Sequence, residues 1–227
     1  MTAWLKFKDI VSQELGVEIE IMPPISKAPM KYDIIEIPGK NKVDIVKHGY
    51  RPYYKPVQLG ISNFDKLDEI IEWLSGEGEL IFSNESDKYY NAMILDQVDY
   101  ESALIFRRTT VAFFVQPFKY AIYNEPVVSL SNKISIVNDG NIFSEPKITI
   151  YGSGTLTIKI NQQNVCTLSN VSDYITVDSA KLETYKDTVL KNRSKIGEFP
   201  VLNQGINDIE VIGQCTKIEV VKNTRWR

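Results

Sequence analysis

Residues able to do chemistry are few in this chain, and their spacing suits none of the common reactions. His48 is the single histidine of 227 residues. Flanked by Lys47 and Gly49, it reads as an exposed turn residue rather than a general base or metal ligand. Cys166 and Cys215 are the two cysteines, and even with His48 they leave a zinc ion short of four ligands. They read as reduced, small core side chains, with pairing between them left open. Gly152-Ser153-Gly154 sits between two strand-like runs with no helix after it to receive a phosphate, so it reads as a hairpin turn. The chain has no Gly-x-Ser-x-Gly elbow, no His-Glu-x-x-His pair and no phosphate loop. Carboxylates such as Asp96, Asp99, Glu101, Asp173 and Asp178 could formally supply a glycosidase pair, but solvated surface positions explain them more simply. No catalytic, cofactor-binding or metal-ligating residue is therefore assigned, no cofactor is expected, and the chain is expected not to be an enzyme.

Two segments look suited to contact instead. Tyr50-Arg51-Pro52-Tyr53-Tyr54-Lys55-Pro56 concentrates aromatics and cations between prolines. Tyrosine and arginine are favoured at protein interfaces, where they offer rigid area and forked hydrogen bonding. A stiff loop whose tyrosines cover the local sheet fits the same residues. Stacking of single-stranded nucleic acid is a third option, disfavoured by the acidic half around the segment. Arg107-Arg108 interrupts an apolar strand, either as an edge device against aggregation or as an intersubunit contact. Tyr50, Arg51, Tyr53, Tyr54, Arg107 and Arg108 are the interface candidates.

The elements that must position these groups are mainly β. Alternating residues predict half-buried strands at Val17 to Met22, Ile34 to Ile37 and Val43 to Val46, closed by turns at Pro23-Pro24, Pro38-Gly39-Lys40-Asn41 and His48-Gly49. Phe64, Leu67, Ile70, Ile71 and Leu74 make an apolar stripe, which predicts one helix over 63–75, capped by Ser62 with Asp65 and stopped at Gly76. Trp73 should cover core between that helix and the sheet. Strands are predicted at Glu79 to Phe82, Tyr89 to Gln97 and Leu104 to Phe118, the last ended by Pro117 and Asn124-Glu125-Pro126. Beyond lie Lys147 to Tyr151, Thr155 to Ile160, Asn164 to Leu168, Tyr174 to Val177, Ile206 to Ile212 and Lys217 to Val221, spaced as in an antiparallel sandwich. The expected organisation is a domain over 1–124 and an antiparallel β-sandwich over 125–227. Trp226 should pack back on that sandwich between solvated Arg225 and Arg227. Tyr151, Tyr174 and Tyr185, scattered along the chain, offer little for a sugar platform.

Composition narrows the partners. Lys+Arg of 26 against Asp+Glu of 29 gives a net charge of -3, with no drive toward nucleic acid or an anionic membrane. Residues 1–124 hold 14 of those bases and 18 of the acids, so the first half is the acidic one. No run is long and apolar enough for a membrane span, and the charged start from Met1 to Asp9 is unlike a secretory signal, so assembly in cytoplasm is expected.

The order of motifs carries the reading further. Ile35-Glu36-Ile37-Pro38-Gly39-Lys40, the helix ending Glu72-Trp73-Leu74-Ser75-Gly76, Glu79-Leu80-Ile81-Phe82-Ser83, Lys88-Tyr89-Tyr90-Asn91-Ala92 and Val111 to Tyr120 follow one another in the first half. Glu145-Pro146-Lys147-Ile148-Thr149-Ile150-Tyr151, Ile175-Thr176-Val177-Asp178, Gly197-Glu198-Phe199-Pro200-Val201-Leu202 and Arg225-Trp226-Arg227 follow in the second. From about residue 30 onward this ordered set resembles the distal tail protein family of siphophages of Gram-positive bacteria. The resemblance implies a homo-hexameric ring of β-sandwich-like N-terminal domains around a DNA channel. That ring would join the tail tube protein to the tail-associated tip protein in the virion. It also implies an outward galectin-like or jelly-roll C-terminal sandwich, which in some relatives holds receptor-binding proteins. DNA would be passing cargo, and the mildly acidic first half is compatible with a conduit that does not hold it. Two other classes compete: a tail protein that binds host wall polysaccharide through its C-terminal sandwich, and a tail-tip hydrolase with a carboxylate pair in a cleft.

Overall fold

The computed structural model describes residues 3–96, 98 and 105–227, and divides them into two units, residues up to 119 together with Arg227, and residues 120–226. The division falls a few residues before Asn124-Glu125-Pro126, because the strand read as ending at Pro117 continues to Ala121. Proline is tolerated there: pairing with the neighbouring strand stops at Val115, so the missing N–H breaks no bond of that ladder.

The first unit contains β1 (Leu5–Phe7), β2 (Ile10–Val11), β3 (Val17–Ile21), β4 (Met30–Ile35), β5 (Asp44–Tyr50), β6 (Tyr53–Ile61), α1 (Leu67–Trp73), β7 (Glu77–Phe82), β8 (Lys88–Met93) and most of β9 (Arg108–Ala121). Its main sheet runs β2-β1-β7-β8-β9-β6-β3. Phe7 and Phe113 meet edge to face with ring centroids 5.3 Å apart, although β1 and β9 stand three places apart in that order. In a flat sheet three spacings amount to about 14 Å. The sheet is therefore curled on itself, and one core gathers Leu5, Phe82, Tyr90, Val111, Leu59 and Val17 from across it.

α1 closes this core with Ile70 and Trp73. It is shorter than the stripe suggested, because Phe64–Lys66 forms a 3₁₀ turn before it. Its entry is capped by Asn63, whose Oδ1 accepts the Asp65 N–H at 3.0 Å, rather than by Ser62, whose hydroxyl donates to the Gly16 carbonyl. The Arg107-Arg108 pair opens β9 instead of interrupting it, since Ile105 and Phe106 are helical. The predicted Tyr89 strand ends at Met93, and Gln97, Asp99, Glu101 and Leu104 lie outside the described residues.

β4 and β5 form a separate two-stranded sheet. The alternation of Ile34 to Ile37 and Val43 to Val46 suggested half-buried strands, but residues 31–36 and 38–49 are all exposed. His48 and Gly49 are strand residues within β5, not a turn.

The second unit contains β10 (Val127–Ser129), β11 (Lys133–Asn138), β12 (Lys147–Ile160), β13 (Gln163–Val171), β14 (Tyr174–Asp178), β15 (Glu183–Lys186), β16 (Val189–Leu190), β17 (Lys195–Gly197), β18 (Gly205–Val221) and β19 (Arg225–Trp226). Four runs read as separate strands are two long ones, β12 and β18, paired along both halves with breaks in register after Tyr151 and after Ser153. Gly152-Ser153-Gly154 is thus a bend inside β12, not a hairpin turn. A Cβ on Gly152 would lie 2.1 Å from the Gln214 carbonyl oxygen, so the strands cross there at a distance only glycine allows.

Before the bend β12 pairs with β14, and after it with β13, so both long strands pass from one layer of a sandwich to the other. Ile148, Ile150, Ile175 and Val220 of one layer face Leu156, Ile158, Leu168 and Val211 of the other. The fold class is mainly β with little helix, as the periodicity indicated.

Candidate interaction surfaces

The six interface candidates fall in two places rather than one. Tyr50 ends β5, packs edge to face on Phe118 with centroids 5.6 Å apart, and accepts a hydrogen bond from Arg227. Tyr54, at 47% exposure, packs on Phe114 in the same manner. Tyr53 is half-buried, donates to the Ser26 carbonyl at 3.3 Å, and has its phenol pKa raised, chiefly by burial. Arg51 is exposed, and its backbone N–H bonds to the Pro29 carbonyl. The segment is accordingly not one loop: Arg51 and Pro52 join two strands, and the aromatic pairs set Tyr50 of β5 and Tyr54 of β6 against Phe118 and Phe114 of β9.

Arg107 and Arg108 lie at the other end of that strand pair. Register places Tyr54 opposite Phe114 and Gly60 opposite Arg108, six residues further, a distance of about 20 Å along a strand. Arg107 takes a left-handed φ of 58°, gives its carbonyl to the Ile61 N–H, and holds its guanidinium 5.6 Å from the Phe64 ring. Arg108 reaches Glu20 at 3.8 Å, an exposed pair of little energetic weight.

Near the Tyr54 end of that pair the unit buries a polar cluster to which sequence reasoning assigned no role. Glu85 accepts from the Lys119 ammonium at 2.5 Å and from the Tyr90 hydroxyl at 2.5 Å, all three side chains being buried. Lys55, also buried, donates to the Pro24 carbonyl at 2.9 Å and sits 5.0 Å from the centre of the Tyr90 ring. Burial lowers the Lys55 pKa, opposed by the negative charge of Glu85. Burial also raises the Tyr90 pKa, helped by its bond to Glu85, so the phenol stays protonated. A signal was available: Lys55 keeps phase with Val57, Leu59 and Ile61 of β6, and Lys119 with Val111, Phe113 and Val115 of β9. Both oxygens of Glu85 are engaged within the core, so the cluster orders the fold rather than presenting a reactive group.

Other groups weighed for chemistry are occupied or separate. Asp173 pairs with Lys186, which lowers its pKa, and Asp178 is buried with its carboxylate on the Lys181 N–H, contrary to the solvated position expected. His48 bonds Asp33 across the β4–β5 ribbon at 2.8 Å. Cys166 and Cys215 are free, and burial pushes the Cys166 thiol up to about 11. Among the described residues no three His, Cys, Asp or Glu side chains are grouped to hold a metal ion.

No family model matches the chain, and neither does any curated protein. Solved structures do. The Dit protein of phage SPP1, described as a paradigm of the hub adsorption apparatus in phages infecting Gram-positive bacteria, superposes with a TM-score of 0.72 at 13% identity. The match covers 97% of this chain and 98% of that one. This chain has the fold of a phage hub protein. A chain of the phage P2 baseplate in its activated conformation with Ca shares that hub fold at a TM-score of 0.51 and 11% identity, over 97% of each chain.

Within the hub fold, the C-terminal unit corrects two further expectations. Tyr151 and Tyr174 are not scattered: they are register partners on β12 and β14, with ring centroids 5.6 Å apart. Each ring has a lysine against it, Lys217 at 4.6 Å from Tyr151 and Lys186 at 5.3 Å from Tyr174. Arg225 is not solvated. It is buried, forks onto both oxygens of Glu145 at 2.8 and 3.1 Å, and lies 4.6 Å from the Phe143 ring.

Proposed function

We propose that this protein is a structural hub of a siphophage or prophage-derived tail tip. In this reading six copies close into a ring that joins the tail tube to the tail-tip protein and leaves a channel for DNA. The observation that carries it is the whole-length likeness to the SPP1 hub protein, which takes in both units in the same order within one chain. Residues 1–124 carry the ring, and the C-terminal sandwich is a docking or spacing module. A closed cyclic assembly needs two complementary faces on each subunit, and catalysis has no part in such a joint. Tyr50, Tyr54 and the two arginines are candidate contacts to the tube or tip protein, since they lie at opposite ends of the β6–β9 pair. Electron microscopy of the purified full chain tests this: rings of six with an open centre are expected, and open filaments or compact dimers would contradict it.

Recognition of wall polysaccharide has one observation in its favour, the Tyr151–Tyr174 pair. Sugar stacking needs an open aromatic face, and both rings already hold an ammonium. Titration with host wall polysaccharide should therefore show no saturable binding. Binding at sub-millimolar concentration, lost in Tyr174→Ala, would establish the carbohydrate reading instead.

A further inference from the structure

The C-terminal sandwich has a free side at β16 and β17. β10 and β11 are the outermost strands on the side of β18, and β16 and β17 are outermost on the other, one in each layer. Each of these two pairs with a single neighbour among the described residues, so its far edge is open to another strand. The chain crosses from β16 to β17 through residues 191–194. Thr184 holds the crossing: its N–H donates to the Asn192 Oδ1 at 2.5 Å, and its carbonyl accepts the Lys191 N–H at 2.6 Å. The Ser169 hydroxyl adds a bond to the Ser194 carbonyl at 3.1 Å.

The side chains along this side are aliphatic and cationic. Leu182, Val189, Leu190 and Ile196 are each more than half exposed, and bare aliphatics grouped in this way mark a contact surface. Residues 181–196 hold five bases against two acids, in a chain whose net charge is -3. Lys186 pairs with Asp173, Asp187 accepts from the Tyr174 hydroxyl, and Lys195 donates to the Gly197 carbonyl. Lys181, Lys191 and Arg193 are exposed and have no ion pair among the described residues. Open strand edges call for backbone partners in register, which a lipid surface does not supply. Uncompensated cations call for carboxylates, and they repel a second copy presenting the same edge. Leu190 and Lys191 are successive residues and so face opposite sides of the strand, which calls for a partner whose apolar and acidic residues alternate.

We propose that the β16 edge of the C-terminal sandwich binds an extended segment of another protein in which acidic and apolar residues alternate. The segment adds as a strand beside β16, its apolar side chains on the face of Leu190 and its carboxylates toward Lys191 and Arg193. The proposal rests on the reading of this unit as a docking module and deepens it, by naming the edge and the chemistry of what docks there.

The test uses the full chain and three probes: a labelled peptide alternating valine and glutamate, its valine–lysine counterpart, and phosphatidylglycerol vesicles. The glutamate peptide should bind saturably and the lysine peptide should not. Lys191→Glu with Arg193→Glu should weaken that binding by about tenfold or more and turn the preference toward the lysine peptide. Leu190→Asp should weaken it as far. All three residues are exposed, so these variants should keep the wild-type unfolding midpoint. In the wild type, amide exchange at residues 189–191 should slow when the glutamate peptide is bound, which a contact through side chains alone would not produce. Equal binding of both peptides, binding of neither, or unchanged exchange overturns the proposal. Vesicle binding without peptide binding overturns it in favour of a lipid contact. Rings of six that bind no peptide leave the hub reading standing, whereas a chain that binds the glutamate peptide and never assembles removes the ring and keeps this site.

Discussion

Glu85→Ala will lower the stability of the N-terminal unit by about 3 to 5 kcal/mol, the cost of breaking a buried ion pair from one side. Lys119 then keeps an ammonium inside the core with no carboxylate beside it, and Tyr90 loses the acceptor of its hydroxyl. Lys55 loses the negative charge that opposes its desolvation. Against a typical total of about 5 to 15 kcal/mol, such a loss removes a large share of the margin. Glu85→Gln keeps the shape and removes the charge, so its loss should be nearly as large. Tyr90→Phe removes one hydrogen bond and should cost less, about 1 to 3 kcal/mol. Urea unfolding of the three variants orders them directly. A Glu85→Ala protein within 1 kcal/mol of wild type would show that water reaches both ammoniums.

Trp73→Ala should cost about 3 to 5 kcal/mol through the cavity it leaves. The indole is buried between α1 and the curled sheet, and its N–H donates to the Phe7 carbonyl at 2.9 Å. Trp73→Phe keeps most of the volume and removes the indole hydrogen bond to that carbonyl, so a smaller loss, about 0.5 to 1.5 kcal/mol, is expected. Unfolding midpoints in urea separate the two. An unchanged midpoint for Trp73→Ala would mean that the ring contributes no packing, and the closure of the core by α1 would have to be given up.

Period was the part of the fold most legible in the sequence. The 3.6-residue stripe around Ile70 located the helix, and alternation located β3, β7 and the apolar length of β9. Turn chemistry misled at Gly152, where glycines suit a hairpin and a strand crossing equally, and only the proximity of Gln214 distinguishes them. The ends of β12 and β18 were split for the same reason. Alternation in β4 and β5 was read correctly as a pattern and wrongly as burial, because none of the described residues covers those strands. Lys55 was read only as a member of the Tyr50 to Pro56 contact segment and Lys119 only within the Val111 to Tyr120 run, although both keep the inward phase of their strands. The interface candidates were chosen by residue type, and type alone could not reveal that register separates Tyr54 from Arg108.

The central claim is that this chain is the repeating part of a closed ring, and the mass of the purified protein in solution tests it most directly. The account predicts a species of six times the 25.9 kDa of one chain, growing at the expense of monomer as concentration rises, with no indefinite series above it. A chain that remains a monomer at every concentration, or one that stops at a dimer, would contradict it.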